Sequence, residues 1–471
     1  MKITLIFPPS IYQTKQTMPP LGIAYLAAVL REHGFGDVSL IDAVINKYTN
    51  REIIEILQKQ SPQIIGLSFG TQNRLLAFAL AREIKKTMPD IPIIAGGPHP
   101  TLTADDLLNN IPEIDMVVRG EGEYTFLELV RALKNKQGLA NIQGLSFRDK
   151  NGQIRHNQPR VPITDLDKLP LPARNLLPID RYQQKIPLSD KICTSVLTSR
   201  GCPYNCVYCS TSQQWGHKIR HRSPENVVTE IQHLMRTYDL DGVGFFDDVF
   251  TMDKQRVIKI CRLLLAKKIK IAWWCEARAN TVDRELIGWM KKAGCVHIAM
   301  AIESGSDQIL KNIKKAITIN QGIEAAKIIK QAGIKLKVFF MHGLPGETYA
   351  DIKKTVFLSR YLKNKIGVDE TTQGLTIIYP GTQMEALAKQ QGTLSRNFSW
   401  SRPFAEKRNY PPLTTCRHMP IFEQPNLSYE KLFSLVRKAK MAYYWWHPLV
   451  LLRNLFLYHR TIKKWLTTKV K

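Results

Sequence analysis

Two long segments of the chain alternate short apolar runs with stretches of 3.6-residue periodicity. In the first, residues 3–7, 38–41, 64–68, 91–95 and 116–119 read as strands, and 23–33, 51–58, 73–86, 104–109 and 124–134 as helices. In the second, strands fall at 194–199, 242–247, 271–276, 297–303, 336–342 and 374–379, with helices at 224–238, 254–267, 283–293, 319–332 and 349–362. Strands separated by helices of this length predict parallel sheets. The chain is therefore α/β: an N-terminal doubly wound, Rossmann-like sheet and then a partial (β/α)6 barrel, two units short of a full one. Between them, residues 144–158 look like a hairpin and LPLPARNLLP is a Pro-rich connector that excludes a long helix. After about residue 385 the alternation stops. The expected units are residues 1–140, a linker at 141–187, the barrel at 188–415 and an extension at 416–471.

Composition narrows the class. A length of 471 residues allows two to four domains. Gly 27, Pro 26 and Cys 8 are too few for collagenous, low-complexity or disulfide-scaffold chains. Lys+Arg 67 against Asp+Glu 40 leaves +27, a balance that calls for nucleic acid or an anionic membrane surface as partner. MKITLIFPPS lacks the apolar core and cleavage site of a signal peptide and reads as a first strand. Few cysteines, three of them tightly clustered, indicate a reducing cytoplasm and a metal site.

The cluster is SRGCPYNCVYCS, with Cys202, Cys206 and Cys209 at the end of the first barrel strand. Three thiolates so spaced can grip one iron–sulfur centre. A [4Fe-4S] cube held by three cysteines leaves one iron open to a non-protein ligand. Zinc is the alternative, with His217 or His221 as a fourth ligand.

The C-x3-C-x-aromatic-C spacing, with Tyr208 as the aromatic, resembles the signature of radical S-adenosylmethionine enzymes across roughly residues 188–385. In that family the open iron chelates S-adenosylmethionine, and one-electron reduction cleaves the sulfonium to a 5′-deoxyadenosyl radical. The resemblance implies cofactor contacts at further strand ends: Asp247 and Asp248 in FFDDVF, Glu276 and Arg278 in WCEARAN, Glu303 and Ser304 in IESGSD, and Gly343 in HGLPGET. For the two aspartates the competing reading is a solvated strand end, and for Glu303 a barrel-internal ion pair. All lie on the catalytic face of a parallel barrel. An external electron donor of flavodoxin or ferredoxin type is also implied.

PPLGIAYLAAVLREHG, the Ser68 strand end, AGGPHPT and RGEGEYTF resemble the cobalamin-binding domain that precedes the barrel in one subgroup of that family. Ser68 and Gly70, Gly96 and Gly97, and Gly120 and Gly122 end the central strands, where bare backbone leaves room for a bulky ligand. FPPSIYQTKQ lacks the Asp-x-His-x-x-Gly segment whose His ligates cobalt from below. Either cobalt is bound without a histidine or the domain is an empty shell; the glycines favour binding. His99 reads as a solvated histidine at the cleft rim.

Residues 431–471 hold ten Lys or Arg, no acid and eight aromatics. Leu452, Leu455, Phe456, Ile462 and Leu466 share a helical face, imperfectly, because Lys463 falls within it. Pro448 and Arg453 rule against a spanning helix. Either this segment lies on the inner membrane face through Trp, Tyr and Lys/Arg, or it packs on the barrel. Nucleic acid is disfavoured: radical enzymes that methylthiolate transfer RNA carry a second cysteine trio, and no Cys precedes Cys193.

The sequence thus describes a cytoplasmic enzyme that uses a [4Fe-4S] cluster, S-adenosylmethionine and cobalamin, expected to methylate an unactivated carbon of a small-molecule or lipid substrate. The alternatives are an oxidative cyclase resembling the anaerobic porphyrin cyclases, and a non-catalytic cobalamin or cluster sensor on nucleic acid.

Overall fold

The computed structural model describes residues 1–10, 18–404 and 419–446. Among the described residues, the first sheet is β1 (Ile3–Phe7), β2 (Val38–Asp42), β3 (Ile64–Ser68), β4 (Ile93–Gly96), β5 (Met116–Val118), β6 (Leu145–Arg148) and β7 (Ile154–His156), in the order β2-β1-β3-β4-β5-β6-β7. The first five strands pair in parallel. Their residues are almost continuously buried, as strands covered by helices on both faces must be. The chain leaves β1 for β2 on one side and returns for β3 on the other. That switch point opens a crevice beyond the carboxyl ends of β1 and β3. β6 and β7 are the hairpin expected at 144–158, and it joins the first sheet by antiparallel pairing with β5. The sheet therefore continues past residue 140, the boundary drawn from composition. Cross-strand hydrogen bonds, which composition cannot show, extend it.

The second sheet is β8 (Cys193–Val196), β11 (Gly242–Phe245), β12 (Ala272–Ala277), β13 (Cys295–Glu303), β14 (Lys335–His342) and β15 (Glu370–Leu375), all parallel and in sequence order. A small antiparallel pair, β9 (Ser199–Arg200) with β10 (Arg220–His221), frames the cysteine turn. The return helices Pro224–Thr237, Lys254–Ala266, Arg284–Lys292, Ile319–Gln331 and Tyr349–Tyr361 start on Ser223, Asp253, Asp283, Thr318 and Thr348, whose side chains accept from backbone N–H groups of the first turn. The sixth strand lies earlier than the apolar run LTIIYP suggested. Glu370 pairs with Lys337, while Ile377 makes an isolated bridge to Ile421 outside the sheet.

Buried ion pairs and hydrogen bonds weld the units together. Glu230, fully buried, lies between Arg174 of the connector (2.6 Å) and Arg222. Tyr182 donates to Asp42 at 2.6 Å. Arg74 of the first unit, also fully buried, donates to the Trp400 carbonyl at 2.8 Å.

A helix at Tyr429–Trp446 buries Leu432, Val436 and Ala439 beside Ile352 and Val356 of helix Tyr349–Tyr361. This part of the basic extension thus packs on the barrel, and no described helix is long and apolar enough to cross a membrane. The periodic stretch from 452 to 466 lies outside the described residues.

Candidate functional site

Gly201 makes the cysteine turn possible. Its φ of +97° is left-handed, and a Cβ there would sit 2.4 Å from the Lys218 carbonyl oxygen. The following turn carries Cys202, Cys206 and Cys209, free and half-buried, on the wall of a cavity of about 820 Å³ at the carboxyl ends of the barrel strands. Burial pushes the Cys202 and Cys209 thiols up. Thiolates at these positions therefore need a cationic centre to hold them. Among the described residues, no three His, Cys, Asp or Glu side chains converge tightly enough to hold a single metal ion. A cube of four irons, ligated at three corners, suits thiols spread along a wall.

Tyr208, Asp248, Glu276, Arg278 and Glu303 line the same cavity. Glu303 accepts from Tyr208 Oη at 2.8 Å and from Lys315 Nζ at 3.0 Å. It sits at φ 77° where the β13–β14 register shifts, a strained backbone that turns its side chain to this cluster. The internal ion pair foreseen for Glu303 is therefore present on the cavity wall. Burial raises Asp248 to about 6, with Asp247 adding to it, and raises Glu276 to about 7, with Asp248 adding. The Arg278 guanidinium lies 3.6 Å from the Tyr204 ring centroid, and its Nε and Nη2 are buried with no hydrogen-bond partner among the described residues. Two unpaired donors and two carboxylates primed for a cation suit the carboxylate and ammonium of an amino acid. These residues fit both the cluster and S-adenosylmethionine.

Three other expected contacts are corrected. Asp247 is buried and accepts from the Thr198 N–H (2.7 Å), the Thr198 hydroxyl and the Ser199 hydroxyl (2.7 Å), so it braces β8 against β11 and does not face the cavity. Ser304 is fully buried against Thr355, on the opposite side from its neighbour Glu303. Gly343 has φ 82°, but a Cβ there would meet Leu432 at 2.6 Å, so helix Tyr429–Trp446 occupies that side. Lys315 was missed. It comes from a lysine-rich loop with no distinguishing spacing, and only the fold aims it at Glu303.

In the first unit, Ser68, Gly96, Gly97, Gly120 and Gly122 line a second cleft, of about 1060 Å³, at the carboxyl ends of the strands. Gly70 and Ser68 line a third, of about 1230 Å³, shared with Ser210 and Tyr379 of the barrel. Cβ atoms at Gly22 and Gly120 would meet nothing within 4 Å, so the bare backbone there faces open space. His99 is not at the rim. It is 1% exposed, packed against Phe69, Phe78 and Trp400, and burial holds its pKa well below the usual imidazole range. The C-terminal Trp400 covers it, which local sequence could not reveal.

A buried network joins cleft and cysteine turn. Arg200, two residues before Cys202, pairs with Glu123 at 2.6 Å and Glu121 at 3.4 Å, and Arg220 pairs with Glu121 at 2.5 Å. Tyr25 and Trp215 stand 5.6 and 5.1 Å from the Arg200 guanidinium. Glu123 and Trp215 also line the glycine cleft.

Comparison with known proteins agrees with this geometry. Residues 196–358 match the Radical SAM superfamily and residues 11–130 the B12 binding domain. The chain is 35% identical over 469 residues to an uncharacterized methyltransferase of Pyrococcus horikoshii, covering 98% of this chain and 96% of the relative. It is 30% identical over 350 residues to the anaerobic magnesium-protoporphyrin IX monomethyl ester cyclase of Rubrivivax gelatinosus, covering 73% of this chain and 62% of that one. Its fold is similar to that of OxsB, a cobalamin-dependent S-adenosylmethionine radical enzyme solved with aqua-cobalamin and S-adenosylmethionine bound, with a TM-score of 0.69 at 24% identity over 82% of this chain and 55% of OxsB. The cysteine turn, the glycine cleft between β1 and β3, and the near full-length match thus converge: the chain belongs to the cobalamin-dependent enzymes of the radical S-adenosylmethionine superfamily.

Proposed function

We propose that the chain is a methyltransferase acting on an unactivated carbon of a hydrophobic small-molecule or lipid substrate. The observation that carries this reading is the cavity shared by the two units. Ser210, next to Cys209, and Tyr379 bound it on the barrel side, and Ser68 and Gly70 on the other. Phe7, Met18, Val44, Phe69 and Leu102 give it apolar walls, which suit an apolar substrate held between the two cofactor sites. The Pyrococcus relative, named a methyltransferase, supports the same reaction class.

When bound, the cluster supplies the electron that cleaves S-adenosylmethionine, and cobalamin carries the methyl group. The chain's own residues bind and orient. Cys202, Cys206 and Cys209 hold the cluster. Arg278 takes the methionine carboxylate on its free donors, and Asp248 with Glu276 takes the ammonium, whose charge returns both carboxyls to the ionised state. Gly96, Gly97, Gly120 and Gly122 admit cobalamin. Reduction calls for an external donor of flavodoxin or ferredoxin type.

Oxidative cyclisation is the second reading, favoured by the similarity to the Rubrivivax cyclase. Anaerobic reconstitution with iron, sulfide, hydroxocobalamin and dithionite, followed by mass spectrometry, separates the two. Methyl transfer yields S-adenosylhomocysteine together with 5′-deoxyadenosine and a product heavier by one methylene. 5′-Deoxyadenosine without S-adenosylhomocysteine, with substrate turned over, supports cyclisation. A Cys206→Ala protein that kept its brown chromophore would overturn the cluster assignment.

Peripheral contact with an anionic membrane through residues 431–471 belongs to the same reading. Its support is the ten basic residues without an acid. Truncation after Trp446, which keeps the packed helix, is expected to abolish co-sedimentation with anionic liposomes. Unchanged sedimentation removes this part of the proposal.

A further inference from the structure

We propose that the outer face of the cysteine turn, carried by Lys311 and Lys314, is the docking surface for an acidic one-electron carrier protein. The inference rests on the reading of the turn as an iron–sulfur site.

The segment Lys311–Lys315 reads KNIKK and contains no acid. Left-handed backbone at Lys314 (φ 54°) and Ala316 (φ 51°) sends successive lysines in opposite directions. Lys315 turns inward to Glu303, whereas Lys311 and Lys314 are exposed. This segment is the outer wall of the turn. Val207 N–H donates to the Ile313 carbonyl at 3.1 Å, and Cys206 Sγ lies 3.7 Å from the Lys314 carbonyl oxygen.

The Lys314 ammonium is also fixed beside the turn. It donates to Gln383 Oε1 at 2.7 Å, and Gln383 Nε2 donates to Asn205 Oδ1 at 2.9 Å. On the other flank, Lys218 is exposed where its backbone crosses Gly201. The cavity side of the same turn bears Asp248, Glu276 and Glu303 together with Arg278 and Lys315. One side of the turn is therefore recessed and mixed in charge, the other basic and open to solvent.

Electron transfer between proteins requires the donor's redox centre to approach the acceptor closely. A protein cannot enter a cavity of about 820 Å³. It can reach the turn from outside, where exposed lysines with no acidic partner among the described residues attract an acidic protein and raise its encounter rate. In the step itself, one electron leaves the donor's reduced flavin and enters the oxidised cluster, and no bond is made or broken.

The test is stopped-flow bleaching of the cluster's visible absorbance, with reduced flavodoxin in one arm and dithionite in the other. A Lys311→Glu/Lys314→Glu protein is expected to be reduced by flavodoxin about tenfold more slowly than wild type, with a flatter dependence on ionic strength. Dithionite, which needs no docking, is expected to bleach both proteins alike. Equal flavodoxin rates and salt slopes overturn the proposal. So does equal slowing in both arms, which would mean that the lysines support the cluster and do not recruit the donor. If dithionite finds no chromophore to bleach in the wild type, the iron–sulfur reading itself fails.

Discussion

Tyr208 Oη lies 2.8 Å from Glu303 Oε1, a hydrogen bond that ties the aromatic of the cysteine turn to the strained end of β13. Lys315 Nζ completes a triangle, 2.9 Å from Tyr208 Oη and 3.0 Å from Glu303 Oε1. Burial, and next the Glu303 charge, hold the phenol well above its usual pKa, so Tyr208 acts as a donor. Lys315→Met leaves the Glu303 carboxylate buried without its cation and is expected to cost about 3–5 kcal/mol of stability. Tyr208→Phe removes one hydrogen bond and is expected to cost about 1 kcal/mol. Urea unfolding of the two single variants and the double variant measures both. If Lys315→Met cost no more than Tyr208→Phe, the ion pair would be of little consequence to the fold.

Gly22 gives a test of the cleft that spares the fold. It lies in helix Leu21–Glu32, and a Cβ there meets nothing within 4 Å. Gly22→Ala is expected to raise stability by up to ~1 kcal/mol through helix propensity. Gly22→Trp is expected to fill the cleft and abolish cobalamin retention on gel filtration, with the melting temperature preserved. Full retention by Gly22→Trp would place the ligand elsewhere.

Arg200 bridges the two units, and its loss should be felt in both. Arg200→Met leaves Glu123 buried without its nearest cation, while Glu121 keeps Arg220. The expected cost is about 3–5 kcal/mol. Proteolysis at the connector should accelerate in parallel, because the contact between the turn and the Glu121–Glu123 loop is weakened. Intact connector and unchanged unfolding midpoint would show that the remaining interface suffices.

His297 sets a pH dependence. It is fully buried on β13, both ring nitrogens lack a hydrogen-bond partner among the described residues, and burial, with Lys337 next, pushes its pKa down to about 4. In the unfolded chain the imidazole takes up a proton near pH 6.5. Between these values the unfolded state binds more protons, so stability present above pH 6.5 is lost as the pH falls towards 4. The loss is on the order of 3 kcal/mol in total. His297→Leu gives up no hydrogen bond and should flatten this slope. Urea midpoints of both proteins at pH 7 and pH 5 should diverge at the lower pH; parallel curves would refute the assignment.

Much of this protein is local in its sequence. The apolar runs placed most strands of both sheets within a residue or two, because a parallel strand buried on both faces has to be apolar almost throughout. The cysteine turn was legible for a related reason. Cys202, Cys206 and Cys209 share one short turn, so their spacing already fixes their geometry, and the strand-ending glycines from Gly96 to Gly122 mark room that side chains would take.

What tertiary structure decided were the partnerships between residues far apart in the chain. Asp247 and Asp248 are adjacent, yet one is held by Thr198 and Ser199 and the other faces the cavity, because successive residues at a strand end point to opposite sides. His99 is buried by Trp400, some three hundred residues away, and Gly343 is covered by Leu432. Lys315 finds Glu303 only because the backbone is left-handed on either side of it. Periodicity and spacing record which face a residue presents. Which charge, ring or hydroxyl waits on that face depends on long-range packing, and that is where the separation of ligand-facing from structural residues was made.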